Sequence, residues 1–166
     1  MSAKLTPCIA LEVPGFGKRV IDTVILDYTG TLSCCGKLSR GVRSRLFRLS
    51  KLVDLRIITA DTYGTACQQL KGIAVPHRLK RARQDVEKRE FLRQFDLRHV
   101  AVFGNGNNDR LMLAAVKKAG GLAIAVDNQE GCAVDALVHG HVFISGAKTA
   151  LGLLLNTNAV KATLQF

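Results

Sequence analysis

The chain has 166 residues, 48% hydrophobic and 22% charged, an ordinary composition for one globular domain with a single good core. Lys and Arg number 24 against 13 Asp and Glu, a formal charge of +11 that favours anionic partners: phosphorylated small molecules, nucleotides, nucleic acid or an acidic protein face. With no Trp and two Tyr, nucleic-acid binding on stacking platforms is disfavoured; five cysteines without a CxxC spacing disfavour a disulfide framework or a zinc site. No apolar run approaches the roughly 20 residues of a membrane helix, and the N-terminus has no signal-peptide core. The expectation is one domain over residues 1–166, cytoplasmic, with reduced thiols and no membrane partner.

Residues 8–22 alternate weakly and are broken by Pro14, Gly15, Phe16 and Gly17, which predicts an edge hairpin leading into the central strand. That strand is 21–28, where the apolar run Val24, Ile25, Leu26 ends on the carboxylate of Asp27. A Thr29-Gly30-Thr31 turn follows, able to offer hydroxyls and N–H groups to an anion. Residues 32–41 contain Cys34, Cys35 and Gly36 and read as a short flap beside Asp27, the two cysteines as small apolar residues in a tight loop. Over 41–52, Val42, Leu46, Leu49 and Leu52 recur at helical spacing with arginines between them. The second strand, 55–58, ends in Thr59-Ala60-Asp61-Thr62, and a helix over 62–70 is capped by Asp61 or Thr62.

Residues 76–79 read as a short third strand, and 84–95 as a charged helix carrying Lys88, with Phe91, Leu92 and Phe95 inward. The fourth strand, 99–103, runs into Gly104-Asn105-Gly106-Asn107-Asn108-Asp109, and a helix over 109–119 closes on Gly120-Gly121. Then come a strand at 122–126, a helix at 130–138, a strand at 142–145 and a largely helical 147–164 broken near Asn156-Thr157-Asn158. Strands alternating with helices predict an α/β fold, a doubly wound, mostly parallel sheet of about six strands with right-handed crossovers. The basic residues of 40–51 and 71–93 read as solvated helix faces rather than one recognition stripe.

Three strand ends carry polar groups: Asp27, Thr59, and Asn105 with Asp109; Lys88 lies on the helix before the fourth strand. In a doubly wound sheet such ends converge on one crevice. Taken singly, Asp27 caps a turn, Thr59 starts a helix, Lys88 is a surface lysine and 104–109 is a turn into a helix. Together they match phosphoryl transfer through an aspartate: a carboxylate attacks, a hydroxyl holds phosphoryl oxygens, an ammonium neutralises charge and oxygen ligands hold Mg2+.

These motifs, Asp27-Tyr28-Thr29-Gly30-Thr31, Thr59, Lys88 and the 104–109 loop, resemble the four motifs of the haloacid dehalogenase-like superfamily. Within it they are similar to the phosphorylation domain of P-type ATPases and to the small stand-alone "soluble P-type ATPase" group. That likeness runs from Pro14-Gly15-Phe16-Gly17 to Leu153-Leu154-Leu155-Asn156, nearly the whole chain. The resemblance implies Mg2+ as cofactor and Asp27 as nucleophile and phosphorylated residue. It implies that Thr59, Ala60, Lys88 and Asn108 bind substrate phosphate, and that Asp27, the backbone carbonyl of Thr29, Asn105 and Asp109 form the metal site. Two departures stand out. Thr29 occupies the position where most phosphatases of the superfamily have an acid–base aspartate, as it does in the pumps, which implies slow turnover; such help is worth roughly 10²–10⁴ in rate. Asn105 replaces an aspartate of the pump motif and removes one negative charge from the metal site. No cap is inserted in 32–55 or 62–88, so the site is open, and by resemblance a homo-oligomer, a tetramer, covers it. The implied function is a Mg2+-dependent phosphohydrolase of a small phosphorylated metabolite or nucleotide, slow ATP hydrolysis included. Its rivals are a non-catalytic or regulatory phosphoryl-binding module, favoured by Thr29 and Asn105, and nucleic-acid binding, which rests on charge alone.

Overall fold

A computed structural model describes residues 7–166; the first six residues of the domain expected over 1–166 lie outside the described residues. In chain order the elements are β1 (Ile9–Val13), β2 (Gly17–Ile21), β3 (Thr23–Asp27), α1 (Arg40–Leu49), β4 (Asp54–Thr59), α2 (Ala66–Gln69), β5 (His77–Arg78) and α3 (Gln84–Phe91). They continue with β6 (Val100–Gly104), α4 (Arg110–Ala119), β7 (Leu122–Asp127), α5 (Val134–His139), β8 (Val142–Ser145), α6 (Ala147–Leu155) and α7 (Thr157–Leu164). Six strands form one parallel sheet in the order β5-β4-β3-β6-β7-β8. This is the doubly wound arrangement, with its switch point between β3 and β6, where the crossovers leave in opposite directions.

Central strands of such a sheet are covered on both faces, which is why β3 reads as an unbroken apolar run instead of an alternating one. Val24 and Leu26 face one layer, built from α1, α6, α7 and the hairpin, with Val42, Leu46, Leu151 and Leu154 among its members. Ile25 points the other way, into a smaller layer with Val102 of β6, Met112, Leu113 and Val116 of α4, and Leu92 from the turn after α3. The parallel register sets Leu26 opposite Phe103 and Asp27 opposite Ile58, so the strands end together and their polar ends share one edge.

Four sequence-based expectations shift. The β1–β2 hairpin is a separate antiparallel pair, not an edge of the main sheet; its buried alternate residues, Ile9, Leu11 and Val13, pack under α7 rather than pairing with a neighbouring strand. The helix expected at 62–70 shrinks to Ala66–Gln69, because Asp61, at φ 53°, turns its carboxylate to the N–H groups of Thr65 and Ala66, both at 3.0 Å. The helix expected at 130–138 starts at Val134, since Gln129 and Gly131 both take positive φ. Leu52 lies beyond α1 in the turn closing on β4 and is exposed, so the helix buries Val42, Leu46 and Leu49 alone.

Candidate active site

Asp27 is the last residue of β3, and the strand's position between β4 and β6 delivers its carboxylate to the switch point almost fully buried. A buried carboxylate needs compensation, and Lys88 supplies it. Its Nζ lies 2.6 Å from Asp27 Oδ1 and 2.6 Å from Asp109 Oδ1, and its side chain is 0% exposed. Asp109 is itself fixed: its Oδ2 accepts the N–H groups of Asn105 (3.0 Å) and Gly106 (2.9 Å), a tight turn at the entrance to α4. Gly104 makes that turn possible, because a Cβ there would lie 2.5 Å from the Asp109 side chain. Thr31 shares its hydroxyl proton between Asp27 Oδ2 (3.0 Å) and Asn105 Oδ1 (3.1 Å). Gly30 lets the backbone pass under Asn105: its φ is 74°, and a Cβ would sit 2.3 Å from Asn105 Nδ2.

The electrostatics follow from this packing. Burial, with the Asp109 carboxylate as the second cause, pushes the Asp27 carboxyl up to about 6, against the opposing pull of Lys88. Burial works against the Lys88 ammonium, but Asp109 and Asp27 more than offset it and hold its pKa above the ordinary lysine value. The centre is thus two carboxylates facing one ammonium, with one negative charge in excess.

Above this centre lies a cleft of about 250 Å³ whose lining includes Asp27, Thr29, Thr59, Ala60, Asn105 and Asn108. Lys88 and Asp109 are buried and join the cleft through Asp27, to which Lys88 is hydrogen-bonded. The structure therefore brings together every residue expected at the site. Thr59 is wholly buried, and its hydroxyl oxygen accepts the Asp61 N–H at 2.8 Å, which leaves its proton for another partner. The Thr29 hydroxyl is buried and makes no hydrogen bond among the described residues. Asn108 donates to Gln84 Oε1 at 2.9 Å, joining the 104–109 loop to the start of α3.

Gln84, Thr62 and Glu130 also line the cleft and were missed by sequence reasoning. Gln84 stands four residues before Lys88, one turn away on the same helix face, and that spacing was a usable signal. Glu130 follows the end of β7, so the strand-end rule would have reached it had it been applied to the fifth strand of the sheet. Thr31 lay inside the motif without a role; its bridge between Asp27 and Asn105 appears only in three dimensions.

The donor set of Asp27, Asn105 and Asp109, with the Thr29 backbone, is all hard oxygen, which suits Mg2+. Burial first, and the Asp109 carboxylate second, raise the Asp27 carboxyl, and a cation beside the two carboxylates offsets both, so the residues fit the metal. Asp109 is the most constrained of them, with three protein donors already on its two oxygens.

No family model matches the chain. A stretch of 64 residues, 39% of this chain, is 38% identical to an uncharacterized protein of Methanocaldococcus jannaschii, and it spans 64% of that protein's length. Among solved structures, the chain is similar to the cobalt-bound deoxy-D-mannose-octulosonate 8-phosphate phosphatase of Haemophilus influenzae, with a TM-score of 0.63 and 12% identity over 88% of this chain and 94% of that one. It is similar to the 3-deoxy-D-manno-octulosonate 8-phosphate phosphatase of Moraxella catarrhalis, a complex with magnesium, phosphate and the sugar acid, with a TM-score of 0.58 and 18% identity over 87% and 94% of the two chains. A haloacid dehalogenase-like family protein of Streptococcus pneumoniae matches with a TM-score of 0.56 and 12% identity over 82% and 99%. The chain has the haloacid dehalogenase-like fold that its motifs resemble, and the solved structures that share it include these two octulosonate 8-phosphate phosphatases.

Proposed function

We propose that the protein is a Mg2+-dependent phosphohydrolase working through an aspartyl-phosphate on Asp27, with a small phosphorylated metabolite or a nucleotide as substrate. The observation that carries this reading is Lys88, fully buried and held at 2.6 Å by both Asp27 and Asp109 under a polar cleft at the switch point. A protein gains little stability from burying three charges there, and replacing such groups by apolar ones is often neutral or stabilising. Phosphoryl transfer explains the arrangement.

In this mechanism the substrate phosphoryl group enters the cleft and an Asp27 carboxylate oxygen attacks phosphorus in line, displacing the alcohol or phosphate leaving group. The Lys88 ammonium neutralises charge on the carboxylate and the transferring group, and Asp109 holds that ammonium in place. The Thr59 hydroxyl, whose oxygen already accepts the Asp61 N–H, donates its proton to a phosphoryl oxygen. Asn108, fixed by Gln84, borders the same group. Bound Mg2+, held by Asp27, the Thr29 carbonyl, Asn105 and Asp109, would stabilise the charge on the phosphoryl oxygens. Water then attacks phospho-Asp27 and releases phosphate. Thr29 cannot give the carboxylic acid–base help of an aspartate, so this second step is the slow one and phospho-enzyme accumulates; slow ATP hydrolysis, and the P-type branch of the superfamily, fit the same pattern. An open, capless cleft is further grounds for a homo-oligomer, a tetramer, in which a second copy covers the site.

Acid-quench trapping tests the reading. After incubation with a phosphoryl donor and Mg2+, intact mass should show one added phosphoryl group, labile to hydroxylamine and absent in Asp27→Asn. No adduct and no turnover would instead favour the non-catalytic phosphoryl-binding module, for which Thr29 and the neutral Asn105 are the supporting features.

A further inference from the structure

Beside the phosphoryl cleft the structure assembles a second group of ligands that the proposed mechanism does not use. Cys34 and Cys35 sit at the tip of the flap, in a tight hairpin closed by the Cys34 N–H to the Lys37 carbonyl at 3.1 Å and the Lys37 N–H to the Cys34 carbonyl at 3.0 Å. Both central residues of this turn have positive φ, 49° at Cys35 and 73° at Gly36. That is the type I′ signature, which ordinarily selects Gly, Asn or Asp. Cysteine is therefore a costly choice at this position, and such residues cluster where the backbone serves a site.

Facing the tip is the loop after β7. It is held by Asn128, which donates to the Leu32 carbonyl at 3.0 Å and through its backbone to the Gly30 carbonyl at 3.1 Å. Its Gln129 takes φ 72°, and Glu130 accepts the Cys35 N–H. The two sulfurs are 4.0 Å apart, and Cys34 Sγ, Cys35 Sγ and a Glu130 carboxylate oxygen all lie within 4.8 Å of one another. A tetrahedral zinc ion with Zn–S bonds of about 2.3 Å sets its two sulfurs about 3.8 Å apart. The observed spacing needs little adjustment.

We infer that Cys34, Cys35 and Glu130 form a zinc site that pins the flap to the 127–131 loop at the rim of the cleft. Two thiolates select a soft divalent ion over Mg2+, so the site is chemically distinct from the oxygen set around Asp27. Both thiols bind as thiolates, so coordination releases two protons to solvent, and water fills the fourth position. Glu130 lines the cleft as well, so metal binding fixes one wall of the substrate entrance. The site escapes sequence spacing because its third ligand lies 95 residues from Cys35.

Cobalt substitution, under a phosphine reductant and in the presence of Mg2+, tests this without relying on the phosphohydrolase reading. The wild type should bind one equivalent with a thiolate-to-cobalt charge-transfer band and tetrahedral d–d absorption, displaced by zinc. Asp27→Asn should keep the band. Cys34→Ser with Cys35→Ser should abolish it, as should Cys35→Gly, which suits the backbone and leaves the turn intact. Glu130→Gln should weaken binding roughly tenfold. Hydrogen exchange should show zinc-dependent protection of flap and 127–131 amides in the wild type and in Asp27→Asn, and none in the cysteine variants. Absence of a thiolate band, or a band that survives loss of both cysteines, would overturn the site; weak cobalt absorption without a thiolate band, lost in Asp27→Asn, would assign the metal to the oxygen centre instead.

Discussion

Burying an ammonium costs several kcal/mol unless carboxylates surround it, and Lys88 has two within 2.6 Å. Removing the ammonium leaves Asp27 and Asp109 facing each other in low dielectric. Lys88→Met should therefore destabilise the fold by about 3–5 kcal/mol in urea denaturation near neutral pH. The loss should shrink as pH falls, because the stranded carboxylates can then take up a proton that the unfolded chain binds less readily; a pH-independent loss would contradict the charge argument. Thr31→Val removes the one hydroxyl that joins Asp27 to Asn105, and a cost of about 1–3 kcal/mol is expected from the unmet acceptors. The raised Asp27 carboxyl gives a further test. Its folded value of about 6 lies above the ordinary carboxylate value of 3.8, so the folded state holds the proton more tightly. That contribution is fully present below the unfolded value and is lost as pH rises through about 6. Mg2+ competes for the ionised form. The Tm gained on adding Mg2+ should be clear at about pH 7.5 and shrink at about pH 5, and a gain independent of pH would place the cation elsewhere.

At the scale of elements, the turn between β6 and α4 and the flap after β3 do the positioning. Gly104→Ala would drive a methyl group into Asp109, 2.5 Å away, and tilt the carboxylate off Lys88. The hydrolysis proposed for the site should drop at least about tenfold, with a stability cost of about 1–3 kcal/mol. His141, next to the edge strand β8, supports the other end of the sheet: its Nδ1 accepts the Ala123 N–H at 3.1 Å. Burial first, then Lys117 and Arg19, lower its pKa to about 4. It is neutral in the fold, so its contribution to stability is present above the ordinary histidine range and is lost as pH falls toward about 4. His141→Asn keeps an acceptor but no titrating proton, and should flatten that part of the acid unfolding profile. The periodicity of α1 and the apolar run of β3 were readable because they follow from burial on one face or two. The late starts of α2 and α5 were not, because they depend on positive φ at Asp61 and Gln129 and on the side-chain cap that Asp61 provides. The hairpin was legible as a hairpin, yet its docking under α7 is a long-range choice that no local pattern states.

For the molecule as a whole, a mostly parallel sheet and the convergence of Asp27, Thr59, Lys88, Asn105 and Asp109 could be anticipated, because strand ends of a doubly wound sheet meet at one crevice; the strand order itself is a finding of the structure. What could not be anticipated is which side chains pair: the Thr31 bridge from Asp27 to Asn105, the Asn108–Gln84 hydrogen bond and the meeting of the flap with Glu130 each join positions far apart in sequence. Among the described residues no helix is long and apolar enough to cross a membrane. The exposed large apolar side chains include Val134, Leu137 and Val138 of α5 and Phe143 of the open edge strand β8. If a second copy of the chain covers its open site, sedimentation should show an oligomer, and Phe143→Glu should disturb it should the β8 edge take part; a monomer at working concentration would contradict the homo-oligomer. The reading that organises all of this is that Asp27 is a nucleophile toward phosphorus. Its most direct test is hydrolysis of a generic aryl phosphate with and without Mg2+, the wild type beside Asp27→Asn. Slow, Mg2+-dependent turnover that vanishes in the variant is the expected result; turnover that survives the loss of Asp27, or that ignores the metal, would contradict it.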